Sequence, residues 1–254
     1  IMAAAAAHLT PVLMECGGKD AMLVDADADI DAAADAATWG GMSNAGQTCA
    51  GVERIYVHGD VYDEFVDRVV AKASDVSAGS GEDDQIGPIT MPSQVDVIRR
   101  HVADALDRGG RAVLGGLDAV GDSVVGPTVM VDVPDDALAM TDETFGPTLV
   151  ITKVGSMDEA IERANDSSYG LGATVCSKAR GAELAARIRS GMTSINSVIS
   201  FAGIAALPFG GIGESGFGRI HGEDGIREFT RTKAVARQRF AAPVALTSFD
   251  RTKK

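Results

Sequence analysis

Val12-Leu13-Met14-Glu15-Cys16-Gly17-Gly18-Lys19 is a short apolar run that ends in a carboxylate, with two glycines directly behind it. Read as a buried strand, it puts Glu15 at the strand's carboxyl end, where open α/β sheets gather their ligands. The glycines let the backbone turn tightly or approach another group closely. Upstream, residues 3 to 8 read as the end of an alanine-rich helix, which Pro11 stops. Downstream, residues 29 to 42 read as a helix with Ile30, Ala33, Ala34 and Ala37 on one face. The turn Asn44 to Gln47 then delivers Cys49 just past a glycine, between the small residues Thr48 and Ala50.

The same alternation continues along the chain. Arg54 to His58 reads as a strand with Ile55 and Val57 pointing one way. Asp60 is placed to cap a helix whose stripe is Tyr62, Phe65, Val66, Val69 and Val70. Another helix runs from Ser93 to about Arg108, with Ile98, Val102 and Leu106 inward and Gly109-Gly110 as its stop. Strands are expected near 111–114, 127–133, 147–153, 171–176 and 192–196. Ser156 and Glu159 form a capping box for a helix through Ala164, and further helices are expected at 180–190 and 222–229. A last strand is expected near 233–240. This pattern predicts an α/β fold: an open, largely parallel sheet with helices on both faces.

Composition narrows the function. The chain has 254 residues and a formal net charge of −13. An acidic surface repels phosphate backbones, so no nucleic-acid partner is expected. The basic residues near the C-terminus (Arg231, Lys233, Arg237 and Arg239 among them) read as a solvated face and tail. No apolar stretch approaches membrane-spanning length, so no membrane partner is expected, and the opening alanine run has no basic leader. Three cysteines (Cys16, Cys49, Cys176) are too few and too odd for a disulfide framework and point to a reducing, cytoplasmic setting. No cysteine–histidine spacing suggests a metal site, and the four histidines show no nucleophile–base spacing.

Cys49 and Glu15 are the candidates for chemistry. A thiolate in an accessible turn can capture a carbonyl, and a carboxylate beside it can later activate water against the acyl-enzyme. The alternative readings are a small apolar residue in the core for Cys49 and a solvated strand-end carboxylate for Glu15.

These segments, in this order, resemble the aldehyde dehydrogenase superfamily. Glu15-Cys16-Gly17-Gly18-Lys19 is similar to its Glu-Leu-Gly-Gly-Lys motif, and Gly46-Gln47-Thr48-Cys49 to its Gly-Gln-x-Cys motif. Glu143-Thr144-Phe145-Gly146-Pro147 is similar to Glu-x-Phe-Gly-Pro, and Pro208-Phe209-Gly210-Gly211 with Glu214-Ser215-Gly216-Phe217-Gly218-Arg219 to the C-terminal signature. Cys16 departs from the usual leucine and sets a second thiol beside the base.

The resemblance implies a Cys49 nucleophile and a Glu15 base, with NAD or NADP as cofactor. It implies that Glu143 accepts the nicotinamide ribose hydroxyls, that Phe145 packs at the nicotinamide end, and that the backbone of Cys16 and Gly17 borders the same ring. It also implies that residues 1–18 are a remnant of a cofactor-binding domain and that 19–254 form the catalytic domain with a C-terminal oligomerisation strand. The expected activity is oxidation of an aldehyde to a carboxylic acid by a homodimer or homotetramer, with the chain being the C-terminal half of the enzyme and inactive by itself. The rivals are a coenzyme-A-acylating relative, a cysteine hydrolase using a histidine, and a non-catalytic assembly module.

Overall fold

The computed structural model describes residues 1–240 and Phe249. Its elements run α1 (Met2–Ala6), β1 (Met14–Glu15), β2 (Asp20–Val24), α2 (Ile30–Met42), β3 (Val52–His58), α3 (Tyr62–Ser74), α4 (Pro92–Asp107), β4 (Arg111–Leu114) and β5 (Thr128–Val131). They continue with α5 (Leu138–Thr141), β6 (Thr148–Val154), α6 (Met157–Asn165), β7 (Ala173–Cys176), α7 (Gly181–Ala185), β8 (Ser194–Ile195), α8 (Ser200–Gly203), β9 (Gly216–Phe217) and α9 (Gly222–Glu228).

A seven-stranded sheet is ordered β4-β5-β6-β3-β2-β7-β8, and only the β4–β5 pair is antiparallel. Side-chain alternation sorts its residues onto two apolar layers. Met22, Val24, Ile55, Val57, Leu149 and Ile151 meet Ala33, Ala37, Phe65 and Val69 from α2 and α3. Leu23, Tyr56, Met130 and Val150 meet Ile98, Val102 and Ala160 from α4 and α6. Helices therefore cover both faces, which is what permits the near-continuous burial of the middle strands.

Strand β2, beside the central β3, is not among the expected strands. Lys19 and Asp20 lead into it and mask a run of only four apolar residues, yet all five of its residues are buried. The segment read as a strand at 12–15 contributes only Met14 and Glu15. These pair antiparallel with β9, outside the main sheet. Glu15 is the last residue of β1, as expected, but that strand belongs to the two-stranded ribbon, so Glu15 stands before the amino end of β2 and not at the carboxyl end of a strand of the main sheet; Gly17 and Gly18 turn the chain between the ribbon and the sheet.

Other expectations also shift. Asp29 caps α2 by accepting the Ala32 N–H. Asp60, however, does not cap α3, whose N-cap is Val61, with no side-chain cap; its carboxylate faces His58 instead. The Ser156 hydroxyl accepts the Glu159 N–H, while Glu159 reaches back to Gly155 N–H, one residue earlier than a strict capping box. The helix expected to reach residue 190 stops at Ala185, where the Asn165 amide takes up Arg187 C=O and Arg189 N–H.

The strand expected at 233–240 is not formed. Residues 231–240 are exposed and irregular, and a strand there would need a pairing edge. The expected C-terminal oligomerisation strand thus has no strand geometry here, and its range beyond residue 240 lies outside the described residues except for Phe249.

Candidate active site

Three site segments enter the sheet at adjacent places. Glu15–Lys19 precedes β2, the Cys49 turn precedes β3, and Glu143–Pro147 precedes β6. The order β6-β3-β2 makes these parallel neighbours, so all three segments emerge at the same, amino-terminal, edge of the sheet.

The Cys49 turn is built from left-handed residues. Asn44, Ala45 and Gly46 have φ of 54°, 56° and 71°, and the Asn44 and Gln47 side chains bond each other's backbone carbonyls at 2.8 and 3.0 Å. Asn44 is structural, as such a position favours. Gly46 is required: a Cβ there would lie 2.0 Å from the Gly146 carbonyl oxygen. The nucleophile turn and the Glu143 loop therefore pack backbone to backbone.

Cys49 is exposed, whereas Cys176 is buried and pushed up to about 12. Desolvation in the cleft raises the Cys49 thiol above its ordinary 9.0, an N–H from Ala50 opposes that, and the charges of Asp20, Glu15 and Glu143 add to the rise. All three carboxyl groups are thus within electrostatic reach of the sulfur. Gly18 joins the segments, since a Cβ there would sit 2.7 Å from Asp20 Oδ1 and 2.8 Å from Cys49 O. Glu15 is exposed, and partial desolvation raises it above 4.5, with Arg219 and then His221 pulling it back.

Glu143 is half-buried and accepts the Gly18 N–H at 3.0 Å, its carboxylate resting on Gly17. Phe145 has φ 49°, so residues 143–145 are not an extended segment and their side chains do not share a side by alternation. The loop is bent because Glu53 collects the N–H groups of Thr144 and Phe145 at 2.9 to 3.1 Å. The Cys16 N–H donates to Ser215 O at 3.2 Å, tying the motif to the C-terminal signature.

Sequence reading missed the buried charges under this loop. Lys19, 2 % exposed, pairs with Glu53 and donates to Thr144 Oγ1 at 3.1 Å. Thr144 Oγ1 then meets His101 Nδ1 at 3.1 Å. Burial and the Lys19 charge push His101 down to about 4, which favours the neutral ring, and the tautomer sets whether its Nδ1 donates to or accepts from the threonine hydroxyl. Arg54 donates to Lys19 O at 3.0 and 2.8 Å. The available signal was Glu53-Arg54 inside a strand-like run, opposite charges that burial tolerates only when paired.

Asp20 is the second omission. It accepts the Gly172 N–H at 2.9 Å, its other oxygen is buried without a partner, and burial raises it to about 8.

An apolar cluster forms around the residue that follows Cys49. Ala50 packs in one cluster with Leu171, Met192 and Phe201, and with half-buried Phe209. A cavity of about 370 Å³ opens along Met192, Phe201, Leu207 and Arg219. Neither this cavity nor the larger cleft of about 780 Å³ has Cys49, Glu15 or Glu143 in its walls. Three histidines have other company: His101 meets Thr144, His58 meets Asp60, and His221 stacks against Phe209 at 5.8 Å. That distribution disfavours a cysteine–histidine hydrolase. Among the described residues no cluster of three metal-type side chains occurs, and no helix is long and apolar enough to cross a membrane.

Comparison with known proteins bears on the family and the fold. The family model described as "Aldehyde dehydrogenase family" matches residues 1–235. A 4,4'-diapolycopene aldehyde oxidase from Methylomonas sp is 40% identical over 232 residues, which is 91% of this chain and 43% of that protein. The solved NAD-dependent aldehyde dehydrogenase from Sinorhizobium meliloti superposes with a TM-score of 0.88 at 34% identity, covering 94% of this chain and 48% of that one. A solved NADP-dependent enzyme from E. coli gives 0.84 at 33% identity, covering 90% and 48%. The chain spans about half the length of the relatives it matches. On the match to the family model across nearly all its length, this chain belongs to the aldehyde dehydrogenase family.

Proposed function

We propose that this chain is the catalytic, C-terminal half of an NAD(P)-dependent aldehyde dehydrogenase that converts an aldehyde to a carboxylic acid. The observation that carries the reading is the exposed Cys49 on a turn that packs, through Gly18 and Gly46, against the Glu15 and Glu143 segments at one edge of the sheet. Cys49 adds to the aldehyde carbon and forms a thiohemiacetal. The Cys49 N–H is free of the turn's backbone bonds, which use Thr48 and Gly51 N–H instead, and it donates to the oxyanion. After oxidation to the thioester, Glu15 takes a proton from water, the water attacks the acyl carbon, and the thiol is released. A carboxyl raised above 4.5 is closer to the pH at which it must act.

The residues fit the nicotinamide-ribose end of the cofactor, because Glu143 is a half-buried acceptor with one oxygen on Gly18 N–H and the other outside that bond. When bound, NAD or NADP supplies the hydride acceptor. The backbone at Cys16 and Gly17 and the Phe145 loop form the rest of that end. The apolar wall of Leu171, Met192 and Phe201 receives the aldehyde's carbon chain. Exposed Ile226, Phe229, Val235 and Phe240 support assembly as a homodimer or homotetramer.

p-Nitrophenyl acetate tests the thiol and base without any dinucleotide. Cys49 attacks the ester carbonyl, p-nitrophenolate leaves, and water activated by Glu15 releases acetate. The expected result is a burst of about one nitrophenolate per chain with acetyl on Cys49, and an acyl form that persists in Glu15→Gln. Labelling at another residue, or deacylation indifferent to Glu15, would defeat the mechanism. Aldehyde oxidation by this chain should be negligible until a dinucleotide-binding half is supplied.

A further inference from the structure

The Glu15 carboxylate shares its end of the cleft with one guanidinium. Pairing of Met14 with Phe217 and of Glu15 with Gly216 fixes the Glu15 backbone to the segment that leads into Arg219. Gly210 lies beneath both side chains: a Cβ on it would stand 3.0 Å from Glu15 Oε1 and 3.1 Å from Arg219 Cδ. The Phe209–Ile220 bridge, with N–H to O distances of 2.6 and 2.7 Å, holds that glycine against the arginine's strand. Arg219 does not spend its donors on the acid. Its Nη1 bonds Gly211 O at 2.9 Å and Gly218 O at 2.7 Å.

This arrangement has a chemical consequence. A direct ion pair would occupy the oxygen that must receive a proton from water, and would lower the basicity of that oxygen by the most. A guanidinium anchored on carbonyls lends its charge while leaving the carboxylate oxygens available. The charged or titratable groups facing Glu15 are Arg219 and His221 from the C-terminal signature and Cys49 from the turn. Only Arg219 among them is permanently charged.

We propose that Arg219, moored on the Gly211 and Gly218 carbonyls, is a positioning residue that keeps the Glu15 carboxylate ionised and seated over Gly210 for water activation. The inference rests on the proposed role of Glu15. It is consistent with burial raising this acid while Arg219 acts against the rise.

The experiment is the pH profile of acetyl-Cys49 deacylation in the 254-residue chain after p-nitrophenyl acetate, followed by intact mass. In Arg219→Gln the profile's midpoint should rise by about one pH unit, with the acylation rate changed much less. Arg219→Lys should recover most of the shift, since it restores charge. An unchanged midpoint in a folded Arg219→Gln chain overturns the proposal. If that variant does not fold, salt provides the second arm. Raising ionic strength to about 1 M should move the wild-type midpoint upward by screening, and a salt-independent midpoint overturns the proposal equally. If Glu15→Gln deacylates normally, or Cys49 is never acylated, the reading of the base or nucleophile itself has failed, and this inference falls with it. Those results differ from a Glu15-dependent profile that ignores Arg219.

Discussion

Replacing Asp20 by asparagine should change how stability depends on pH. Asp20 is buried at the start of β2, with one oxygen on Gly172 N–H and the other without a partner among the described residues. Burial dominates its environment and lifts it from 3.8 to about 8, with Glu53 and Glu143 adding to the rise and the Gly172 bond and Arg54 opposing it. The folded chain thus holds a proton that the unfolded chain has released. A carboxyl raised in this way contributes its full stability below pH 3.8 and loses it as pH climbs to about 8. The loss runs at about 1.4 kcal/mol per pH unit, or about 6 kcal/mol across the window. Asparagine keeps an acceptor for Gly172 and cannot ionise. The Asp20→Asn chain should therefore gain on the wild type by about 4 kcal/mol between about pH 5 and pH 8, then hold level. Urea unfolding at intervals across that range, scored as the difference between the two chains, cancels the other titrating groups. A difference that stays flat with pH would refute the protonated, partnerless state of Asp20.

Other perturbations probe the neighbouring features. Lys19→Met removes the partner of buried Glu53 and should cost about 3–5 kcal/mol in denaturant unfolding, because an unpaired buried carboxylate remains. Gly46→Ala sets a Cβ 2.0 Å from the Gly146 carbonyl oxygen at φ 71°; it should destabilise the chain by at least about 2 kcal/mol and slow iodoacetamide labelling of Cys49. The pH midpoint of that labelling should lie above 9.0 in the wild type and fall in Glu15→Gln, since removing a nearby negative charge eases formation of the thiolate. A midpoint unmoved by Glu15→Gln would separate the two groups.

Much of the site was legible because its parts sit in short, chemically odd stretches. A carboxylate followed by two glycines, and a cysteine after a glycine turn, are locally conspicuous, and Cys49 and Glu143 lie where those stretches led the eye. Helix stripes such as Phe65–Val69 and Ile98–Val102 were equally plain, because burial repeats with the helical period. Strand β2 was hidden, since its leading Lys19 and Asp20 look like loop residues until the buried partners Glu53 and Gly172 are known. The segment 233–240 shows the reverse failure, for its strand-like pattern gains nothing without an edge to pair with.

Local chemistry in the sequence determined the family motifs, the residue types at the site and the two-faced α/β pattern. The tertiary structure alone decided that the three motifs meet, since only the neighbour order β6-β3-β2 carries their entry loops to one edge. It alone decided the burial that raises Asp20 and lowers His101 as well. Those properties depend on desolvation and on partners from 35 to 152 residues away in the chain, as the Arg54–Lys19 and Gly172–Asp20 bonds show. No local pattern encodes contacts at such separations.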